Sequence, residues 1–168
     1  MIMITIAFLL GMVLCMLFGV PYIDMLRKKM IGQYIKDVAP ENHAKKQGTP
    51  TTGGVFIIAA IIMASVVALL LAQKMSTLAL ITIITLAFYT FAGFQDDYIK
   101  IKGKGNDGLT ARGKLFRQIA IALLPTLFLV TTNPDACTFA IGNIVLDLKW
   151  FYPFFAVFII TGASNAYN

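Results

Sequence analysis

An all-α, polytopic integral membrane protein is the fold class this sequence predicts, and three observations predict it. Of its 168 residues, 58% are hydrophobic and 13% are charged, against roughly 45–50% and about 25% in ordinary soluble domains. The apolar residues gather into five runs, and the basic residues gather into two of the segments between them. The net charge of +6 is therefore a matter of membrane topology, with membrane lipid as the surrounding partner and no nucleic acid expected. Cys15 lies in an apolar run and Cys137 in a distant loop, a placement that suggests no disulfide framework.

The five runs cover residues 2–23, 55–72, 77–94, 113–132 and 150–164. At 1.5 Å per residue, about 18–20 helical residues cross the roughly 30 Å hydrocarbon layer. The first run has no basic leader and no small-residue cleavage site, and "PYIDMLRKKM" follows it, so it reads as a retained span. Pro125 is tolerable inside the fourth run because neighbouring helices can satisfy the carbonyl it frees. The fifth run has 15 residues and reaches 19 if it continues to Asn168. Between runs four and five, "CTFAIGNIVLDL" alternates around Gly142-Asn143, which predicts a small β-hairpin. About five transmembrane helices and one outer hairpin result, with no internal repeat or interdomain linker.

Orientation follows from the cations. Of the 14 Lys and Arg, six lie in residues 24–52 and six in residues 95–118, while Lys74 and Lys149 lie elsewhere. Two spans separate the basic segments, so both share a side. The positive-inside rule makes that side cytoplasmic, with the N-terminus outside and the hairpin on the periplasmic face.

Three clusters meet the cytoplasmic boundary. In "HAKKQGTPTTGG", Gly48, Thr49 and Thr51 precede the second span, where free backbone N–H groups and Lys45 and Lys46 would suit an anion. The plainer reading is a turn and a helix cap, with the lysines against headgroups. In "GFQDDYIK", Asp96 and Asp97 close the third span, where buried charge is expensive. Paired carboxylates beside cations suit Mg2+ with bound phosphates. On a continuing helix, Lys100 and Lys104 follow Asp96 at one-turn intervals. The plainer reading here is a helix end with surface ion pairs, and the glycine-rich cluster on the same face weighs against it. In "TGASNAYN", Asn165 and Asn168 share a helical face and either hold a polar ligand or bond to neighbouring helices. Lone His43 reads as a solvated loop residue.

"HAKKQGTPTTGG", "GFQDDYIK", "GLTARGK" and "SNAYN", in this order and spacing, resemble the phospho-N-acetylmuramoyl-pentapeptide transferase family of the polyprenyl-phosphate N-acetylhexosamine-1-phosphate transferases. The resemblance covers essentially the whole chain. It implies an all-helical bacterial plasma-membrane enzyme of about ten spans with a periplasmic hairpin. It places adjacent catalytic aspartates on Asp96 and Asp97, with Mg2+ as cofactor, and an essential lysine on Lys46. Lys100 and Lys104 fall beside the nucleotide-sugar pyrophosphate, and Asn165 and Asn168 open the next motif. Thr52 stands where methionine is usual, and Tyr167 replaces a small aliphatic residue. The family continues past Asn168 with leucine, threonine, aspartate and glycine, so residues 1–168 are expected to be the N-terminal half of one transferase domain, inactive alone. A later aspartate associated with the metal and a histidine-rich loop would lie in the remainder.

The implied reaction transfers phospho-N-acetylmuramoyl-pentapeptide from UDP-MurNAc-pentapeptide to undecaprenyl phosphate and releases UMP; a homodimer is one candidate assembly, the oligomeric state being left open by the sequence. One alternative is a sister enzyme using UDP-N-acetylglucosamine, which shares the aspartate pair but not, as a rule, "GTPT-GG" with "GLTARGK". Another is an inactive fragment of such an enzyme. A channel or transporter is disfavoured, because no charged residue lies mid-span where a permeation path commonly needs one.

Overall fold

A computed structural model describes residues 2–28, 52–102 and 108–166. The chain forms α1 (Ile2–Lys28), α2 (Gly53–Leu71), α3 (Thr77–Lys102) and α4 (Ala111–Thr132). A 3-10 turn, a hairpin of β1 (Thr138–Ile141) and β2 (Ile144–Asp147) and a second 3-10 turn lead to α5 (Tyr152–Ala166). Helices α1 to α4 are each long and apolar enough to cross a membrane, and the molecule is a helical membrane protein. The predicted fifth crossing is shorter than the rest. A 3-10 turn occupies Lys149–Phe151, so α5 begins only at Tyr152 and its described part has 15 residues.

Helices adjacent in sequence pack together. Small residues let α1 and α2 approach closely: Ala60, Ala64 and Ala68 form a buried stripe one turn apart on α2. A Cβ built on Gly11 would stand 3.6 Å from the Ala64 Cβ, and one on Gly19 would stand 3.5 Å from the Phe56 ring. Lipid tails are as apolar as leucine, so such contacts favour association through close packing rather than through escape from water. Tyr22 stacks on Phe56 with ring centroids 5.3 Å apart.

The helix ends follow from local chemistry. After α2, Gln73 takes φ 53°, its N–H reaches Leu70 O, and the Lys74 N–H reaches Leu69 O. This is a Schellman stop that satisfies two terminal carbonyls. Ser76 caps α3 by accepting the Ala79 N–H at 3.2 Å. Thr110 caps α4 by accepting the Gly113 N–H at 3.2 Å. Helix α4 runs unbroken through Pro125.

The predicted hairpin forms with Ile141 opposite Ile144 and Thr138 opposite Asp147. Gly142 takes φ +57° at the first turn position, where a type II′ turn needs it. Phe139 packs edge-on against Phe155 of α5 at 4.8 Å. Cys137, at the hairpin's foot, is 1% exposed.

Candidate functional site

Antiparallel packing brings the start of α2, the end of α3, the start of α4 and the end of α5 to one end of the bundle. There a cleft of about 410 Å³ is lined by Thr52 and Gly54, by Asp96, Asp97 and Lys100, by Lys114, Arg117 and Gln118, and by Ser164. Its lining also includes apolar Val55, Ile58, Leu86 and Phe94. The described parts of all three boundary clusters thus border one cleft. Lys46, Gly48, Thr49, Thr51, Lys104 and Asn168 lie outside the described residues, as does His43.

Two carboxylates late in a helix stand toward the negative end of its dipole and need compensation. Each aspartate receives a backbone amide from a different segment. Asp96 Oδ1 accepts the Leu109 N–H at 2.8 Å, while Asp97 Oδ2 accepts the Thr52 N–H at 3.1 Å. Lys100, one turn on, brings its Nζ to 2.6 Å from Asp96 Oδ2 and 3.8 Å from Asp97 Oδ1. The Asp96 side chain is 10% exposed and the Asp97 side chain 33%. Asp96 is therefore the more enclosed of the pair and Asp97 the more exposed.

Two further features sharpen this geometry. Gly108 lies against Asp96 so closely that a Cβ there would sit 2.8 Å from Lys100 Cε and 2.9 Å from Asp96 Cγ. Ordinary carbon contacts are about 3.5–4.0 Å, so only hydrogen fits. Thr52 has φ 67°, a left-handed backbone costing roughly 1–2 kcal/mol for a residue bearing a Cβ. It is held from both sides: Asp97 takes its N–H, and its carbonyl accepts from Tyr22 OH at 3.2 Å and Val55 N at 3.1 Å.

Gln118 and Ser164 of the cleft lining belong to an amide network. Gln118, 4% exposed, donates through Nε2 to Ser164 Oγ at 3.0 Å and accepts from Asn165 Nδ2 at 2.9 Å. Its main-chain carbonyl accepts from Tyr89 OH at 3.0 Å. Asn165 Nδ2 also donates to Thr161 O at 3.1 Å. The asparagine's amide nitrogen thus bonds both to α4 and to its own helix. Arg117 donates to Gln95 Oε1 at 2.6 Å beside the same cleft. Sequence reasoning missed Gln118, Tyr89 and Gly108. A signal for the first did exist, since Gln118 starts a one-turn stripe with Ala122 and Thr126, all buried.

The two carboxylates differ in how their oxygens are already engaged within the chain. Mg2+ commonly takes one or two carboxylates together with phosphate oxygens. Both Asp96 oxygens are engaged by Leu109 and Lys100, whereas Asp97 has one oxygen more than 3.5 Å from the ammonium. Among the described residues no group of three His, Cys, Asp or Glu could hold a metal.

Residues 79–168 match glycosyl transferase family 4. A phospho-N-acetylmuramoyl-pentapeptide-transferase of Bacillus licheniformis is 35% identical over 161 residues, 95% of this chain and 50% of the relative. One from Listeria monocytogenes serotype 4b is 38% identical over 89% of this chain and 47% of its own length. One from Oceanobacillus iheyensis is 38% identical over 100% of this chain and 51% of its own length. The chain spans about half the length of the curated relatives it matches. With its family region running from the start of α3 to the last residue, and with the aspartate pair inside that region, the chain belongs to glycosyl transferase family 4.

Proposed function

We propose that the protein containing this chain transfers phospho-N-acetylmuramoyl-pentapeptide from UDP-MurNAc-pentapeptide to undecaprenyl phosphate, forming the first lipid-linked peptidoglycan precursor. The observation that carries the reading is the cleft itself, whose lining joins apolar residues to Asp96, Asp97, Lys100, Lys114 and Arg117. An amphiphilic phosphate needs both: its chain lies along apolar helix surface while its headgroup meets charge at the boundary. Family membership and the names of the relatives support the same choice.

In the proposed chemistry a lipid phosphate oxygen bonds to the sugar-bearing phosphorus of the donor. The pyrophosphate bridge breaks, and UMP leaves with the bridging oxygen and its electron pair. Such transfers depend on positioning and charge neutralisation more than on covalent assistance from the protein. Lys100, Lys114 and Arg117 would hold phosphate oxygens, joined by Lys46 and Lys104. Asp97 would orient the lipid phosphate or meet its proton, and Asp96 would hold Lys100 in place. Mg2+, held by Asp97 and donor phosphate oxygens, would supply further neutralisation of the departing charge. Gly48, Thr49, Thr51, Asn165 and Asn168 would complete the donor site.

The proposed setting is a bacterial plasma membrane crossed five times by this chain, α5 included. The N-terminus and hairpin would lie outside and the cleft in the cytoplasm, where the nucleotide is. The test joins this chain at Asn168 to the remaining half of the Oceanobacillus iheyensis relative and measures UMP release in lipid nanodiscs. Release with UDP-MurNAc-pentapeptide, lost in Asp97→Asn, is expected. Release with UDP-N-acetylglucosamine alone would transfer the chain to the sister reaction, and release with neither would sink the reading.

A further inference from the structure

The Lys100 ammonium stands where a cation bridging the two aspartates would stand, 2.6 Å from Asp96 Oδ2 and 3.8 Å from Asp97 Oδ1. We propose that Lys100 is the resident cation of this pair and that it excludes a divalent ion from bridging Asp96 and Asp97. Three features hold it there. Asp96 and Lys100 are four residues apart on one helix, acid first, the favoured order for such a pair. The ammonium lies in the last turns of α3, where the helix dipole favours positive charge. Gly108 closes over the pair, its missing Cβ within 2.8 Å of Lys100 Cε. That leaves little room for the water shell that Mg2+ gives up reluctantly.

The two carboxylates then have different duties. Asp96 is a positioning residue, spending one oxygen on the Leu109 amide and the other on Lys100. Asp97 is the only one of the two able to meet a metal ion, and it does so singly, as one ligand beside phosphate oxygens. Removing the ammonium should turn a single-carboxylate site into a two-carboxylate one. Affinity for a divalent ion should therefore rise when a basic residue is lost. A plain surface ion pair predicts only the smaller gain from lost repulsion, one that either carboxylate alone would sustain.

The experiment measures Mn2+ binding to the 168-residue chain in lipid nanodiscs by electron paramagnetic resonance, with displacement by Mg2+. Wild type and Lys100→Arg should bind weakly and alike. Lys100→Met should bind at least about tenfold more tightly, a coupling of ordinary size between charged sites. Adding either Asp96→Asn or Asp97→Asn should abolish the gain, because bridging needs both. Helicity measured on the same samples reports folding, and Lys100→Gln decides the matter if Lys100→Met loses helix. Wild-type binding as tight as that of the neutral variants, or a gain surviving either asparagine substitution, would overturn the proposal. It deepens the transferase reading in its consequence for Asp97, yet the measurement needs no turnover. Failure to transfer would count against that reading and leave this one standing.

Discussion

Gly108→Ala is the most searching single substitution, because its cost can be worked from distances. The new methyl would lie 2.8 Å from Lys100 Cε and 2.9 Å from Asp96 Cγ, so something must move by about 0.7 Å to reach ordinary contact. Lys100 can swing away, which gives up its 2.6 Å ion pair with Asp96. Turning the Asp96 carboxylate away instead would give up its contacts with both Leu109 and Lys100. If residue 108 recedes instead, Leu109 goes with it, and the 2.8 Å bond from its amide stretches to about 3.5 Å, beyond useful hydrogen bonding. Overpacking costs about 1–3 kcal/mol, and a hydrogen bond lost from a charged group costs a similar amount. A net loss of about 2–3 kcal/mol corresponds to roughly 4–12 °C in Tm for a chain of this length. The assay is thermal unfolding in detergent followed by far-UV circular dichroism, beside UMP release from the joined protein. Gly162→Ala is the control: nothing lies within 4 Å of its Cβ, and alanine in a helix gains about 0.5–1 kcal/mol over glycine. A Gly108→Ala variant matching that control in both stability and turnover would refute the close packing of this glycine on Asp96.

Four further outcomes are expected. Asp96→Asn and Asp97→Asn should each lower turnover of the joined protein by at least about a hundredfold, and wild-type rates in either would assign the pair to structure alone. Gln118→Met keeps the volume and removes the amide links to Ser164 and Asn165; a loss of about 1–2 kcal/mol is expected, read as a lowered Tm. For topology, Lys46→Cys and Lys102→Cys should react with a membrane-impermeant maleimide only after the cells are opened, and labelling of intact cells would invert the orientation. Finally, burial pushes the Cys137 thiol up, with the Asp147 carboxylate adding to it. At neutral pH its thiolate is then scarcer than an ordinary cysteine's, so alkylation should be slow beside a Thr138→Cys control, with comparable rates arguing against the burial.

Hydropathy located the helices because every predicted run is a stretch that must leave water. It could not place their ends. Helix α3 continues past Phe94 to Lys102, since polar residues extend a helix as readily as apolar ones once hydrogen bonding is established. Helix α5 begins late for a different reason: a 3-10 turn takes up Trp150 and Phe151, residues as apolar as the helix that follows. The hairpin was legible from period-two alternation around a glycine, a signal written within a dozen residues.

The site was legible only where side chains carry it. Asp96, Asp97 and Lys100 are visible as a charged stripe ending an apolar run. The partners that make the stripe tolerable are not, because two of them are backbone N–H groups, of Thr52 and Leu109. Every residue but proline has such a donor, and sequence does not say which one an acid will meet. Gly108 opens the quoted "GLTARGK", but its tight fit was not legible there, since that is a distance to side chains at the end of α3. Asn165 was seen, but its reading depended on Gln118, a polar residue inside an otherwise apolar stretch. These contacts also separate what each removal should do. A carboxylate near the negative end of α3 is unfavourable on its own helix, and the amides that relieve it belong to segments arriving from elsewhere in the fold. Disturbing Thr52 or Leu109 should therefore be felt as lost stability, whereas neutralising Lys100, which the same helix supplies, should be felt as gained affinity for a cation.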